Sequence, residues 1–193
     1  MTPLLFLSVC VAAQICSFAT MLPASAHTST VSSVSTVIAS SQPVGRVTGF
    51  PLPRYVSIKA AKARMRVGPS TDYPIRWIYE AKGLPIEIIE EYGEWRQVRD
   101  SDGTSGWMNA VLLSGNRTGL VTPWNKGKGP LVSLRKSPAK TAGLVAQLQP
   151  GVRLDIHSCD SLWCRVSVQN QSLAGYIRQG FVWGVYPSET VND

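Results

Sequence analysis

Met65-Arg66-Val67-Gly68-Pro69-Ser70-Thr71-Asp72-Tyr73 returns in altered form 69 positions later as Leu134-Arg135-Lys136-Ser137-Pro138-Ala139, and this repeat decides the fold. In both stretches an apolar residue precedes an arginine, and a proline follows three positions after that arginine. At an offset of 68 or 69, further blocks match in the same order: Gly83 to Ile88 with Gly151 to Ile156, Trp95 with Trp163, and Gly106-Trp107-Met108 with Gly175-Tyr176-Ile177. Blocks that recur in one order at one spacing indicate a duplicated structural unit.

Each copy of the repeat has the pattern of a small β-domain. Short apolar alternations are cut by Gly, Pro, Asn and Asp, and no window has the spacing of an amphipathic helix. In the first copy, Ile86 and Ile88 alternate with Glu87, and the chain then turns and returns through residues 95–99. About five such strands in about 60 residues bury enough apolar surface only when they curl into a barrel.

The first copy resembles the bacterial SH3-like (SH3b) domain family. The resemblance rests on the order of residues 65–73, Gly83, Gly93-x-Trp95-x-x-Val98 and Asp102-Gly103-x-x-Gly106-Trp107. The second copy follows the pattern less closely, since Ser137-Pro138 replaces Gly-Pro-Ser and Tyr176 replaces the tryptophan. The resemblance implies a β-barrel binding module that is commonly exported, often attached to cell-wall enzymes, and associated with peptidoglycan or protein ligands.

The N-terminus has the pattern of a signal peptide. Its first 26 residues contain no charged side chain, run apolar from Leu4 to Ile15 and end in the small residues Ala24-Ser25-Ala26. An uncleaved anchor is the alternative, because residues 3–22 are just long enough to span a bilayer. We expect cleavage, a secreted or periplasmic protein, and no stable membrane span afterwards.

We therefore predict an all-β chain with two tandem small SH3-like barrels after a signal peptide and a flexible tether. The tether is rich in Ser, Thr and Val and lacks helical or sustained strand periodicity. The predicted boundaries are 1–26 for the signal peptide, 27–53 for the tether, 54–115 for the first barrel, 116–130 for a connector, 131–187 for the second barrel and 188–193 for a tail.

The formal net charge of +7 is unevenly distributed. Residues 54–115 contain nine basic and eight acidic side chains, whereas residues 116–193 contain nine basic and four acidic ones. Excess positive charge often indicates nucleic-acid binding. An exported protein rarely meets nucleic acid, so the expected partners are anionic cell-envelope polymers or acidic protein surfaces.

Cys159 and Cys164 are the two cysteines outside the predicted signal peptide. A closely spaced pair in an oxidising compartment indicates a disulfide, and these two flank the predicted hairpin turn Asp160-Ser161-Leu162-Trp163. Closing so small a ring contributes about 2 kcal/mol in the chain-entropy model.

A catalytic or metal-binding role for the same region is the alternative. Asp155, His157 and Cys159 alternate along one predicted strand and project from one face, an order that suggests a thiol hydrolase using Cys159. A disulfide would consume that thiol, and zinc on His157, Cys159 and Cys164 would lack a fourth ligand. The sequence has no Gly-rich phosphate loop and no Gly-x-Ser-x-Gly motif, so we expect no catalytic residue, metal or cofactor.

The aromatic residues divide into predicted core and predicted surface. Trp95 and Trp163 occupy equivalent strand positions and are interpreted as filling or covering each barrel. Trp124 lies in the basic connector, where packing between the barrels is slightly favoured over an anion-binding aromatic flap. The candidate ligand-binding residues combine exposed aromatic and cationic side chains: Arg66, Tyr73, Arg76, Trp77, Trp107, Trp124, Arg135 and Tyr176.

These features predict a non-enzymatic binding protein whose partner is peptidoglycan or an envelope protein. Two modules joined by a connector of about 15 residues gain avidity on a repetitive polymer. A protein-interaction scaffold, in which the modules fix two partners or dock onto each other, is the alternative. The thiol hydrolase remains a third hypothesis.

Overall fold

The computed structural model describes residues 42–126 and 128–192. The predicted signal peptide and most of the predicted tether lie outside these residues. Within them, the chain forms 15 β-strands and three 3-10 helices of three residues each. None of the helices in this part of the chain is long and apolar enough to cross a membrane.

The first barrel is an antiparallel sheet of seven strands. Their order across the sheet is β3-β2-β6-β5-β4-β1-β7. The strands are β1 (Arg54–Ile58), β2 (Ala63–Arg66), β3 (Ile75–Tyr79), β4 (Pro85–Tyr92), β5 (Trp95–Arg99), β6 (Ser105–Asn109) and β7 (Leu113–Ser114), and a 3-10 helix spans Ala110–Leu112.

The second barrel repeats this topology. Its path is β10-β9-β13-β12-β11-β8-β14, and an additional strand, β15, pairs with β11. The strands are β8 (Thr118–Val121), β9 (Val132–Arg135), β10 (Leu144–Leu148), β11 (Arg153–Asp160), β12 (Trp163–Val168), β13 (Ala174–Arg178), β14 (Val182–Trp183) and β15 (Thr190–Val191), with 3-10 helices at Pro123–Asn125 and Gln179–Phe181. The predicted all-β fold with two tandem copies is confirmed.

The repeated apolar positions fill two separate cores. Met65, Ile86, Val98 and Met108 are fully buried in the first barrel, and their equivalents Leu134, Leu154, Val166 and Ile177 are fully buried in the second. Period-two alternation places these side chains on the inner face of each sheet. Truncating any one of them to alanine costs about 2–5 kcal/mol.

Gly106 and Gly175 allow two strands to approach closely at the same place in each barrel. A Cβ atom at either position would lie within 2.6 Å of the carbonyl oxygen of Arg66 or Arg135. The repeat therefore retains glycine where the backbone of the neighbouring strand leaves no room for a side chain.

The predicted connector 116–130 is corrected, because it contains a strand of the second barrel. Strand β8 pairs with β11 and β14 as β1 pairs with β4 and β7. The loop that follows β8, residues 122–131, is longer than the equivalent loop at 59–62. This difference changes the offset between the copies and conceals the repeat at β8. Because β7 ends at Ser114 and β8 begins at Thr118, the barrels are joined by residues 115–117.

The predicted tail also needs correction, because part of it belongs to the sheet. Strand β15 pairs Val191 with Cys159 of β11. Gln179 supports the same segment, since its side-chain amide donates to the carbonyl oxygens of Tyr186 and Glu189.

The described end of the predicted flexible tether, residues 42–53, is held on the first barrel. It turns back on itself, with a bridge between Val44 and Pro51. The buried carboxylate of Glu91 accepts hydrogen bonds from the amides of Val47 and Thr48 at 3.0 and 2.9 Å and from the Thr48 hydroxyl at 2.6 Å. The prediction of flexibility is wrong for this segment, because its polar backbone groups find a buried acceptor on β4.

The two barrels form one compact unit through an aromatic contact. The ring of Tyr55 on β1 lies 5.1 Å from that of Trp183 and 4.6 Å from that of Tyr186. The Tyr186 hydroxyl donates to Glu87 of the first barrel at 2.8 Å, and Arg99 donates to the same carboxylate. Burial, followed by the charge of Glu87, raises the pKa of Tyr55 to about 12. Trp183, which has no equivalent in the first copy, thus serves the contact between barrels.

Candidate functional site

A groove occupies the same place on each barrel. The first groove has a volume of about 290 Å³ and is lined by Lys62, Arg64, Arg66, Thr71, Trp95, Asn109 and Leu112. At the offsets of the repeat, the equivalents of all these residues line the second groove: Leu131, Ser133, Arg135, Lys140, Trp163, Arg178 and Phe181. The duplication has therefore kept a surface cavity as well as a core.

Strand pairing brings the groove residues together. Trp95 at the start of β5 stands opposite Asn109 at the end of β6, and Trp163 stands opposite Arg178 in the second barrel. The Arg178 guanidinium lies 5.7 Å from the centre of the Trp163 ring. A cation at this distance over an aromatic face is attracted to it, so the pair forms a flat, positively charged wall.

The arginines of the repeated motif fix the loop beside each groove. Arg66 donates to the carbonyl oxygen of Tyr73, and Arg135 to that of Ala142, both at 2.6 Å. These hydrogen bonds use one nitrogen of each guanidinium. Both arginines, predicted as ligand-binding residues, do line a groove, and they also hold the loop that forms its side.

The longer loop at 122–131 enlarges the second groove to about 510 Å³. It adds Trp124, Asn125 and Pro130 to the lining, and Trp124 is 53% exposed. Two non-glycine residues of this loop, Thr122 (φ 34°) and Lys126 (φ 45°), have left-handed backbone conformations. The Thr122 hydroxyl is buried and finds no hydrogen-bond partner in the described part of the chain. Strained backbone and unpaired polar groups of this kind concentrate at binding sites.

The second groove is the more electropositive of the two. Each lining has three cations and, among the described residues, no carboxylate: Lys62, Arg64 and Arg66 in the first groove and Arg135, Lys140 and Arg178 in the second. In the first groove, Lys62 forms an ion pair with Glu80 at 2.9 Å, which offsets part of the charge. An anion would therefore find more unopposed positive charge in the second barrel.

Three of the tryptophans lie in the grooves. Trp95 and Trp163 belong to neither core cluster but are partly exposed in the grooves. Trp124 is largely exposed and lines the second groove. Because Trp95 and Trp163 each begin a strand beside a turn, the core ends before it reaches their indoles.

The other predicted site residues do not line a groove. Trp107 and Tyr176 are partly buried on the strand next to Arg66 and Arg135. Tyr73, Arg76 and Trp77 are exposed on the β2–β3 loop and on β3. Sequence reasoning missed Lys140, Arg178 and Phe181, although their equivalence to Thr71, Asn109 and Leu112 at an offset of 69 was available as a signal.

The predicted disulfide between Cys159 and Cys164 is confirmed. The two residues are cross-strand neighbours on β11 and β12, where the first barrel has the ion pair between Glu91 and Arg96 at 3.6 Å. The bonded and buried sulfur of Cys159 leaves the thiol-hydrolase hypothesis without its nucleophile. His157 is hydrogen-bonded to Ser167 at 3.0 Å.

A third cavity, of about 520 Å³, lies between the barrels. Its polar lining is tied across the junction: Gln169 donates to Asp155 at 2.8 Å and to the carbonyl oxygen of Gly83 at 3.4 Å, and Arg153 donates to that of Lys82 at 3.1 Å. These contacts belong to the junction between the barrels, and we assign no ligand to the cavity.

Comparison with known proteins agrees with the duplicated fold. The family model for the bacterial SH3 domain matches residues 59–115 and 128–184. No curated protein sequence matches the chain.

Solved structures similar to this chain include three NlpC proteins. An NlpC/P60 family protein from Bacillus cereus ATCC 10987 is 14% identical, with a TM-score of 0.29, and the match covers 67% of this chain and 55% of that one. For NlpC2 of Trichomonas vaginalis the values are 9%, 0.31, 68% and 48%, and for NlpC1 of the same organism they are 10%, 0.29, 72% and 48%. The chain thus spans about half the length of these proteins.

Proposed function

This chain belongs to the bacterial SH3 domain family, and we propose that it is a non-enzymatic binding protein of the cell envelope that holds anionic peptides of the cell wall in its two grooves. The observation that carries this proposal is the equivalence of the two groove linings, position by position. Surface residues do not contribute to the packing of the barrel core. A cavity that recurs at equivalent positions in both copies therefore indicates a shared binding function.

The chemistry of the second groove supports an anionic ligand. Peptidoglycan stem peptides carry carboxylates, and the cations Arg135, Lys140 and Arg178 complement them. Trp124 and Trp163 offer flat apolar faces to the rest of such a ligand. The second barrel is therefore proposed as the stronger of the two modules.

The short link between the barrels changes how two weak sites would cooperate. Residues 115–117 and the contact of Tyr55 with Trp183 and Tyr186 hold the barrels together. Avidity on a repetitive polymer then depends on whether the polymer presents ligands at a matching spacing, since no long connector can adjust it.

Location outside the cytoplasm is part of the same proposal. The disulfide between Cys159 and Cys164 supports it, because disulfides persist in oxidising compartments. The signal-peptide pattern of residues 1–26 points in the same direction.

The test is retention of the full chain on purified peptidoglycan at rising salt. Lys140→Thr with Arg178→Asn gives the second groove the residues that the first barrel has at the equivalent positions, so the fold should tolerate them. We expect the double variant to bind about tenfold more weakly, a loss of about 1.4 kcal/mol.

The matched control is Arg46→Asn with Lys82→Thr, which removes two exposed cations that do not line this groove. It should bind like the unmodified protein. Equal losses of affinity in both double variants would mean that binding depends on net charge alone, and would contradict the proposal that the second groove is the binding site.

A further inference from the structure

The first barrel has an exposed apolar surface that the grooves do not use. We call it the β3 surface, and it consists of Tyr73, Ile75, Arg76, Trp77 and Ile78. Trp77 is 56% and Ile75 is 44% exposed. In the described part of the chain, β3 pairs only with β2 and ends the sheet. Its outer edge therefore presents backbone donors and acceptors to which another strand can add.

The alternation of β3 gives its two faces different chemistry. Trp77 and Tyr79 share the face of their cross-strand neighbours Met65 and Ala63. Of these two, only Tyr79 is buried in the core. Ile78 lies on the opposite face beside its cross-strand neighbour Arg64, and a shift in register after Trp77 places Ile75 beside Arg66 on that face. The uncovered part of the strand thus presents Trp77 on one face, whereas on the other face its isoleucines lie beside the arginines of β2.

The second barrel shows that Tyr73, Trp77 and Ile78 are not needed to build the fold. Strand β10 has Ala146 and Gln147 where β3 has Trp77 and Ile78. Ala142 stands where the first barrel has Tyr73. Large apolar side chains that folding does not require, gathered at one edge, indicate an interaction surface.

Tyr73 is accommodated by a second difference between the copies. Its ring lies against Gly68, where a Cβ atom would come within 2.6 Å of three ring atoms. The second copy has Ser137 at the position of Gly68 and lacks the tyrosine. The glycine and the aromatic ring therefore occur together in the copy that carries the β3 surface.

We propose that the β3 surface binds an extended segment of a partner protein in which apolar and acidic residues alternate, and that this segment adds to β3 as a further strand. Its apolar side chains would cover Trp77 on one face, while its carboxylates would lie beside Arg64 on the other. Complementary cross-strand pairs on both faces fix the register as well as the affinity.

Charge argues against a second copy of this chain as the occupant. Two antiparallel β3 strands would bring their Arg76 side chains onto the same face of the new sheet, where like charges repel. The formal net charge of +7 adds to that repulsion. An acidic partner removes both penalties.

The test uses synthetic peptides of about eight residues against the full chain. One peptide alternates valine with glutamate, and its control alternates valine with lysine. The glutamate peptide should bind and should slow amide hydrogen exchange in residues 75–79, whereas the lysine peptide should bind at least about tenfold more weakly.

Trp77→Ala with Ile78→Gln supplies the variant, because the second barrel folds with these residues at the same positions. Its thermal unfolding should stay close to that of the unmodified protein, and its affinity for the glutamate peptide should fall about tenfold. Leu144→Ala on β10 is the matched control and should leave the affinity unchanged. Equal binding of both peptides, binding insensitive to the double variant, or sedimentation showing self-association through β3 would each overturn the proposal.

Discussion

Glu91 shows how one residue can tie a terminal segment to a barrel. Its side chain is fully buried and accepts from Val47, Thr48 and Arg54. Burial alone would raise the pKa of Glu91, but the hydrogen bonds from Thr48, Arg54 and Val47 outweigh it and lower the pKa to about 2. The ionised carboxylate is therefore the form that holds residues 42–53.

The sign of the pH dependence follows from that direction. A carboxyl group whose pKa is lower in the folded state stabilises the fold above its unfolded pKa, here 4.5, and this stabilisation is lost as the pH falls towards about 2. Glu91→Gln should lower the free energy of unfolding by about 2 kcal/mol at neutral pH. It should also flatten the dependence of that free energy on pH between 4.5 and about 2.

Urea titrations at a series of pH values measure both effects. Glu94→Gln, an exposed carboxylate in the same turn, is the control and should change neither quantity. A Glu91→Gln protein with unchanged stability and an unchanged pH profile would contradict this role.

The equivalent hairpins of the two barrels are held together by different interactions, a disulfide in one and an ion pair in the other. Cys159 and Cys164 cross-link β11 to β12, and Glu91 and Arg96 occupy the equivalent places on β4 and β5. A covalent link acts largely by restricting the unfolded chain, whereas an ion pair acts only in the folded state.

Removal of the disulfide should therefore destabilise the second barrel moderately. Cys159→Ser with Cys164→Ser should lower the free energy of unfolding by about 2 kcal/mol, because the closed ring is short. Chemical denaturation of the oxidised protein, the reduced protein and the variant measures this. The reduced protein and the variant should agree within about 1 kcal/mol, and a reduced protein as stable as the oxidised one would contradict the prediction.

At the scale of strands and loops, the sequence correctly predicted the structural features that depend on local sequence pattern. The alternation around Ile86 and Leu154 identified core strands, and the repeat aligned Gly106 with Gly175, where the structure shows two strands approaching closely. Strand β8 was missed because the longer loop after it shifts the repeat out of register. Only some of the groove residues were predicted, because Lys140 and Arg178 are surface residues that come close to the others only through pairing across the sheet.

The contact between the barrels could not be predicted, because it joins residues that are distant in sequence and belong to no motif. Tyr55 meets Trp183 and Tyr186, and Tyr186 completes the hydrogen bonding of Glu87, a buried carboxylate that Arg99 also holds. A buried carboxylate shared by the two barrels links their stabilities, because separating them would leave its remaining oxygen without a protein partner.

That coupling predicts the unfolding behaviour of the whole molecule. The unmodified protein should unfold in a single calorimetric transition, because neither barrel can lose its fold without breaking the shared contact. Tyr55→Ala with Tyr186→Phe removes the ring contact of Tyr55 and the hydrogen bond to Glu87 and should cost about 2–4 kcal/mol. The barrels should then unfold in two transitions, and small-angle scattering should give a larger radius of gyration. Tyr92→Ala, which removes an exposed ring elsewhere on the first barrel, should keep one transition. Two transitions already present in the unmodified protein would show that the aromatic contact does not couple the barrels, and avidity would then rest on two independently moving modules.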